Sequence, residues 1–269
     1  MKIAFIGGGN MAAALIGGLI RAGRRPDELI VVEVEPARCA QLRREFAVTA
    51  IATADDSLRQ ADAVVLAVKP QQMRIACEAA RPHLGAPLVV SIAAGTRSSD
   101  IARWLGRDAI VRTMPNTPAL IGRGITGMAA MPAVNAAQRE LAASILRTAG
   151  DVLWLDDEAK LDAVTAISGS GPAYVFYFIE ALARAGEELG LDATQARTLA
   201  VHTFTGAAHL AAESSEPIST LRERVTSKGG TTAAALAWME STGIGPHFVE
   251  AVFAAHRRAV ELSRTVDRP

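Results

Sequence analysis

A glycine-rich turn near the start of the chain has the residue types and spacing that bind a dinucleotide. The apolar run Lys2–Ile6 leads directly into Gly7-Gly8-Gly9-Asn10-Met11-Ala12, a G-x-G-x-x-A pattern that opens a helix-like stretch. Gly7 permits a tight turn, Gly9 lets the backbone approach a pyrophosphate, and Ala12 allows close packing of helix on strand. The free amides at the helix start attract the negative charge. The pattern predicts a dinucleotide site, with an unliganded glycine turn as the alternative.

Two acidic residues bear on which dinucleotide binds. The second strand-like run ends in Val32-Glu33-Val34-Glu35. A carboxylate at this position accepts hydrogen bonds from the adenosine ribose and disfavours the extra phosphate of NADP. Glu33 and Glu35 therefore favour NAD, whereas Arg38 is the one nearby residue that favours NADP. A solvated strand end is an equally good interpretation of the carboxylates, so the preference stays open.

Three further turns are expected to line the nicotinamide half of the dinucleotide. They are Ala67–Gln71, Ser91–Gly95 and Arg112–Pro118, each at the end of a strand-like run. In an open α/β sheet the ligand lies beyond the carboxyl ends of the strands. Lys69 is one of only four lysines, and coenzyme contact and simple exposure are equally good interpretations of it. The candidate contacts are Val68, Lys69, Pro70, Ala93, Ala94, Gly95 and Asn116.

A small-residue segment in the second half, Val225–Ala233, is suited to a carboxylate. Small polar residues that open onto a helix present several backbone amides and hydroxyls to an anion. A helix start capped by Ser or Thr, with no ligand, is the alternative. A similar stretch, Ser168–Tyr174, precedes a long apolar helix. The candidate carboxylate-binding residues are Ser227, Gly229, Gly230, Thr231 and Thr232.

The chain offers little acid–base machinery. Its five histidines are scattered, and we expect His202 and His209 to be solvated or at the edge of a core. The two cysteines, Cys39 and Cys77, form no disulfide framework, and no Cys/His cluster has zinc-site spacing, so no metal is expected. Hydride transfer fits this inventory, because the coenzyme then carries the difficult chemistry.

The elements that position these residues alternate up to about residue 151. Because strands covered on both faces are apolar along their whole length, five apolar runs and two weaker ones predict a doubly wound α/β sheet. Gly23, Gly85 and Gly106 are predicted to be left-handed residues after helices. The predicted strands are Lys2–Ile6, Leu29–Val34, Ala63–Val68, Pro87–Ala93 and Ala109–Met114, with Thr49–Ala52 and Thr126–Ala130 as the weaker pair. The predicted helices between them are Met11–Arg21, Ala37–Phe46, Gln71–His83, Ser98–Leu105 and Asn135–Thr148.

The second half is predicted to be all-helical. We place a dinucleotide-binding domain at residues 1–160 and a helical domain at residues 161–269. The helix Pro172–Leu189 is apolar on more than one side, which predicts burial nearly all round. About 100 residues with this much apolar surface make a poor monomer, so burial between two subunits is expected. The further predicted helices are Ala193–Ala212, Thr231–Ser241 and Pro246–Arg264.

Charge and hydropathy exclude several classes of partner. The 28 basic and 28 acidic side chains cancel, so no global positive field gathers nucleic acid or anionic membrane. The longest strongly apolar run, Ala63–Val68, is far shorter than the ~18 residues that span a bilayer. No export segment is expected at Met1-Lys2. These features predict a soluble cytoplasmic protein with a small-molecule substrate.

Taken together, the motifs resemble those of the pyrroline-5-carboxylate reductase family. The resemblance runs in order through the whole chain, and the last two motifs are highly specific to the family. The matching motifs are Ile6–Ala12, Ala67–Gln71, Ser91–Gly95, Met114–Pro118, Ile167–Tyr174 and Val225–Thr232.

The resemblance implies a Rossmann-type N-terminal sheet, an all-α C-terminal dimerisation domain and an activity. Members reduce the C=N bond of 1-pyrroline-5-carboxylate to L-proline with NADPH or NADH, the last step of proline biosynthesis. They form homodimers, often assembled into a decamer. By the family pattern, Ser227, Gly229, Gly230 and Thr231 hold the substrate carboxylate. Thr232 places its hydroxyl near the ring nitrogen as the catalytic residue.

Two positions depart from the family pattern. Glu35 stands where many relatives have a small polar residue on the 2′-phosphate, and Ala54 where an asparagine near the adenosine is common. Both departures argue against a preference for NADP. In addition, Pro217 lies one residue further from Val225 than expected.

Two other functions are considered. A β-hydroxyacid dehydrogenase shares the two-domain layout, but residues 170–190 lack the lysine that it needs. A catalytically silent NAD(P) sensor would not need the site at Ser227–Thr232.

Overall fold

The computed structural model describes residues 1–265, which form two compact units. Of the described residues, the first unit comprises Met1–Ser170 together with residues 255–265, and the second comprises Gly171–Ala254. The first segment of this unit ends at Ser170, ten residues beyond the predicted boundary at residue 160. Leu161 and Val164 pack against Gly127 of the sheet, which explains why this segment belongs with the sheet.

The first unit contains one eight-stranded sheet, which confirms the predicted fold class. The strand order is β3-β2-β1-β4-β5-β6-β7-β8, and every neighbouring pair is parallel except β6 and β7. The carboxyl ends of β1, β2, β4, β5 and β6 therefore share one edge of the sheet. The strands are β1 (Ile3–Ile6), β2 (Leu29–Val32), β3 (Thr49–Ile51), β4 (Ala63–Leu66), β5 (Leu88–Ser91), β6 (Ile110–Met114), β7 (Gly124–Ala130) and β8 (Gly150–Trp154).

Helices cover both faces of the sheet. Ile3 and Phe5 of β1 face one apolar cluster, whereas Ala4 and Ile6 face the other. Since neighbouring residues of a strand point to opposite faces, double coverage requires apolar residues at every position. The helices of this part are α1 (Asn10–Arg21), α2 (Pro36–Phe46), α3 (Met73–Ala80), α4 (Ser98–Leu105), α5 (Ala136–Arg147) and α6 (Lys160–Val164), the last followed by a π-helical turn at Thr165–Gly169.

Strand β8 was not predicted. It lies at an edge of the sheet, and Asp151 and Leu153 are exposed while Val152 and Trp154 pack against the core. This alternation with a period of two is the signal of a half-buried strand. The predicted helix Gln71–His83 is also shorter than expected, because 3₁₀ turns occupy both ends, at Pro70–Gln72 and Arg81–His83.

The prediction of a left-handed conformation is wrong for one of the three glycines, Gly85. Gly23 and Gly106 have φ of +93° and +66°, as expected after helices, but Gly85 has no positive φ. A Cβ on Gly85 would lie 2.4 Å from the carbonyl oxygen of Arg59. Gly85 is therefore required by close backbone approach and not by its dihedral angles.

The second unit is helical, as predicted. Asp192 caps the second helix through Gln195, and Gly190 reverses the chain with φ of +97°. The unit adds a short helix, Ile218–Arg224, that was not predicted. The helices are α7 (Gly171–Glu188), α8 (Ala193–Glu213), α9 (Ile218–Arg224), α10 (Thr231–Ser241) and α11 (Ile244–Thr265).

Within a single chain the long helix α7 is not covered on all sides, so the burial predicted for it depends on a second subunit. No residue of α7 is buried, and Phe176 and Tyr177 are 61% and 68% exposed. Its apolar surface is therefore uncovered within one subunit. Among the described helices, none is long and apolar enough to cross a membrane.

Candidate active site

The glycine turn between β1 and α1 has the shape of a pyrophosphate cradle. Gly7 has φ of +99°, and a Cβ there would lie 2.6 Å from the carbonyl oxygen of Ala67. A Cβ on Gly9 would meet nothing within 4 Å, so this backbone is open to a ligand. Gly9 is the N-cap of α1, and no side chain caps that helix. The residues present therefore fit a dinucleotide, since open space and free amides meet at a helix start. Asn10 and Met11 begin α1, and Ala12 is buried against the core.

Glu33 shapes this turn from the end of β2. Its Oε2 accepts a hydrogen bond from the amide of Gly8 at 2.8 Å, and its Oε1 accepts one from the amide of Glu35 at 2.9 Å. The carboxylate is therefore engaged by backbone and is not a merely solvated strand end. Glu35 itself is exposed. Arg38 donates to the carbonyl of Gly8 at 2.6 Å and to Gln41 at 2.8 Å.

The three predicted nicotinamide turns follow β4, β5 and β6, which are parallel neighbours in the sheet. After β4, Val68 is half-buried and Lys69 is exposed beside Pro70, which begins a 3₁₀ turn. After β5, Ala93 is buried and Ala94 half-buried, while Gly95 has φ of +75°. The topology thus brings the predicted residues to one edge of the sheet.

Asn116 stabilises the turn that follows β6. It is 9% exposed, and its Oδ1 accepts a hydrogen bond from the amide of Ile125 at 3.0 Å. Just before this turn, Thr113 donates its hydroxyl to the carbonyl of Ser91 at 3.0 Å. The described contacts of Asn116 therefore hold the turn to β7.

A charged cluster next to these turns was missed by sequence analysis. Arg112 in β6 is 4% exposed and forms ion pairs with Glu158 at 3.0 Å and Asp162 at 3.7 Å. Glu158 also accepts from the amide of Ser98 at 2.8 Å, and the hydroxyl of Ser263 lies 3.5 Å from Asp162. An arginine inside an otherwise apolar strand was the available signal, because a buried charge requires partners.

The predicted carboxylate site forms the start of α10. Gly229 has φ of +75°, and Gly230 is the N-cap, whose amide donates to the carbonyl of Ser227 at 3.0 Å. No side chain caps α10, so the alternative interpretation, a Ser or Thr cap, is wrong. A Cβ on Gly230 would lie 2.5 Å from the hydroxyl oxygen of Ser227. The uncapped amides and this hydroxyl together suit an anion.

The two threonines of this segment differ in exposure. Thr231 is exposed and Thr232 is half-buried. Both belong to the first turn of α10, where backbone amides lack partners within the helix. Thr232 is therefore less accessible to solvent than Thr231.

Other reactive side chains are poorly placed for catalysis. Burial raises the pKa of the Cys77 thiol from its ordinary 9.0 to about 12, so the thiol stays neutral and unreactive near pH 7. His202 and His209 are exposed on α8. Within residues 1–265, no group of three or more His, Cys, Asp or Glu side chains is arranged to hold a metal ion.

Both halves of the chain match known oxidoreductases. Residues 158–262 match the family model described as pyrroline-5-carboxylate reductase dimerisation, and residues 2–95 match NADP oxidoreductase coenzyme F420-dependent. The chain is 44% identical over 264 residues to the pyrroline-5-carboxylate reductase of Pseudomonas aeruginosa, with 97% of each chain covered. The Coxiella burnetii pyrroline-5-carboxylate reductase structure superposes with a TM-score of 0.92 at 40% identity, covering 98% of this chain and 99% of that one. The structure of the Plasmodium falciparum pyrroline carboxylate reductase, solved with NADP bound, superposes with a TM-score of 0.86 at 28% identity. The match covers 98% of each chain.

Proposed function

This chain belongs to the pyrroline-5-carboxylate reductase family, and from that premise we propose how its residues divide the reaction between a coenzyme site and a carboxylate site. The reaction is the NAD(P)H-dependent reduction of the C=N bond of 1-pyrroline-5-carboxylate to L-proline, the last step of proline biosynthesis. The chain is therefore an oxidoreductase, and its coenzyme is NADPH or NADH.

The coenzyme site is assigned to the turns at the carboxyl edge of the sheet. Gly7–Ala12 hold the pyrophosphate, supported by the open space at Gly9 and the uncapped start of α1. Glu35 would accept hydrogen bonds from the adenosine ribose. The nicotinamide half is lined by Val68, Lys69, Pro70, Ala93, Ala94, Gly95 and Asn116. When bound, the reduced nicotinamide supplies the hydride that goes to the imine carbon.

The substrate carboxylate is assigned to the start of α10. Ser227, Gly229, Gly230 and Thr231 bind it, and the missing side-chain cap at Gly230 supports this role. An anion at an uncapped helix start is stabilised by the unpaired amides and by the helix dipole. Binding there fixes which face of the ring is presented to the hydride donor.

Thr232 is assigned to the ring nitrogen. The protonated imine accepts hydride better than the neutral one, so the nitrogen must carry a proton when the carbon–hydrogen bond forms. A hydroxyl is too weak an acid to be the sole source of this proton, but it can hold the N–H in one orientation. Fixing both reactants in line contributes several kcal/mol, up to roughly 7–11 in favourable cases.

The observation that carries this proposal is the 44% identity to a pyrroline-5-carboxylate reductase of a chain whose helices α1 and α10 both begin at a glycine with no side-chain cap. The test is a spectrophotometric assay with pyrroline-5-carboxylate that follows loss of NADH and NADPH separately. Oxidation of either coenzyme with formation of L-proline supports the proposal. Coenzyme binding without turnover, and without binding of proline, would instead favour the sensor.

Assembly and location belong to the same proposal. The exposed apolar surface of α7 and the match of residues 158–262 to a dimerisation model support a homodimer. We propose further assembly of dimers to a decamer, as the family resemblance implies. We also propose a cytoplasmic location and no nucleic-acid or membrane partner, supported by the balanced charge of the chain.

A further inference from the structure

One carboxylate oxygen joins the two turns that we assign to the nicotinamide. Oε1 of Glu158 accepts a hydrogen bond from the amide of Ser98 at 2.8 Å and from the guanidinium of Arg112 at 3.0 Å. Ser98 begins α4, immediately after the turn that contains Gly95. Arg112 lies two residues before Met114, where the next turn begins. Glu158 itself lies in a third segment, between β8 and α6.

The backbone pairing of β5 with β6 ends close to the residues that Glu158 connects. Strands β5 and β6 are paired only as far as Ser91 and Arg112, and beyond that pair the two chains separate into their turns. The hydroxyl of Thr113 adds one bond to the carbonyl of Ser91. Past this point, Glu158 is the next link between the two segments among the described hydrogen bonds.

Both donors depend on Glu158. Ser98 and Arg112 are 2% and 4% exposed, so each needs an acceptor from the protein. Glu158, whose own side chain is 33% exposed, supplies that acceptor from the surface. No side chain of its own N-cap residue caps α4, so Glu158 acts as a remote cap at the positive end of that helix. Without Glu158 the described ion-pair partner left to Arg112 is Asp162 at 3.7 Å.

We propose that Glu158 is a positioning residue that sets the spacing of the turns after β5 and β6, and thereby the shape of the nicotinamide site. This role rests on the proposed function only in assigning those turns to the nicotinamide. It predicts that Glu158 acts on coenzyme affinity and kcat and leaves carboxylate binding at α10 unchanged.

Two conservative variants separate geometry from charge. Glu158→Gln keeps an acceptor oxygen at the same reach and removes the charge, whereas Glu158→Asp keeps the charge and shortens the side chain. We expect Glu158→Asp to lower kcat about ten- to a hundredfold and to weaken coenzyme binding, because a misplacement of about 1 Å can cost a hundredfold in rate. Glu158→Gln keeps the acceptor and leaves Asp162 to balance the charge of Arg112, so it should lower kcat less than Glu158→Asp does. KM for pyrroline-5-carboxylate should stay at the parent value in both variants.

The measurements are chosen so that the role of Glu158 can be tested independently of the reaction assigned to the chain. Coenzyme Kd is measured by nicotinamide fluorescence without substrate, so it reports on Glu158 even if the substrate assignment fails. Asp156→Asn is the matched control, since Asp156 lies in the same segment and pairs with the exposed Lys160. A Glu158→Asp variant with the coenzyme Kd and kcat of the control would overturn the proposal. The proposal would also be overturned if Glu158→Asp kept the parent kcat and coenzyme Kd while Glu158→Gln lost them. That result would indicate a role of charge alone.

Discussion

At the scale of single residues, Thr232 carries the prediction most specific to the reaction. Replacing it with alanine should lower kcat/KM by about one to three decades, as the loss of one orienting hydrogen bond does at other active sites. Thr232→Ser keeps the hydroxyl and is the control that should recover most of the activity. Steady-state kinetics with pyrroline-5-carboxylate measure both. An unchanged kcat/KM in the alanine variant would refute the assigned role.

Glu35 is the residue expected to decide between the coenzymes. It is exposed, whereas Glu33 is occupied by the amides of Gly8 and Glu35. Glu35→Ser should raise the ratio of kcat/KM for NADPH to that for NADH about five- to tenfold, because roughly 1 kcal/mol of repulsion from the 2′-phosphate is removed. Glu45→Gln, an exposed carboxylate near the other end of α2, should leave the ratio unchanged. Equal ratios in the parent and in Glu35→Ser would argue that Glu35 does not face the ribose.

Single residues also show what local sequence can predict about a site. The glycine pattern predicted a tight turn at Gly7, where φ is +99°, and a backbone open to approach at Gly9, where a Cβ would meet nothing within 4 Å. The same sequence did not reveal that Glu33 would bind the amide of Gly8, 25 residues away. That contact depends on β2 lying beside β1, which residue types alone do not specify.

At the scale of elements, helix α1 contains two adjacent glycines with different surroundings. A Cβ on Gly18 would lie 2.5 Å from the carbonyl oxygen of Thr148, which is backbone and cannot move cheaply. A Cβ on Gly17 would instead lie 3.2 Å from the ring edge of Phe46. At Gly18, therefore, α1 lies against the backbone at the end of α5 with no room for a side chain.

Substitution of these glycines by alanine tests this packing. Gly18→Ala should lower the free energy of unfolding by about 1–3 kcal/mol, as overpacking of a core does. Gly17→Ala should stay within about 0.5 kcal/mol of the parent, because a helical gain of roughly 0.8–1.0 kcal/mol offsets a small displacement of Phe46. Urea denaturation followed by circular dichroism gives both values. Equal effects at the two positions would contradict this account of the α1–α5 contact.

At the scale of the whole molecule, the uncovered apolar surface of the second unit predicts self-association. Phe176→Glu in α7 should convert the proposed dimer to monomer, because a carboxylate buried in an apolar interface has no partner. Ile75→Glu is the control, since Ile75 is a 71% exposed apolar residue outside the segment that matches the dimerisation model. Sedimentation velocity at equal concentrations distinguishes the two. A dimeric Phe176→Glu variant would place the interface elsewhere.

The sequence by itself determined the class of fold and most of its elements. Continuous apolar runs report burial on both faces of a strand, and glycine positions report turns, because each is a property of neighbouring residues. The edge strand β8 was not predicted because Gly150–Trp154 alternates in burial, whereas the predicted strands are continuously apolar.

The tertiary structure alone decided which distant residues share a site. Glu158 meets Ser98 and Arg112 across 60 and 46 residues of chain. The order of strands in the sheet makes these three residues neighbours, and strand order results from packing the entire first unit. A local pattern of residue types carries information about backbone conformation and burial, but none about which of several parallel strands will lie side by side.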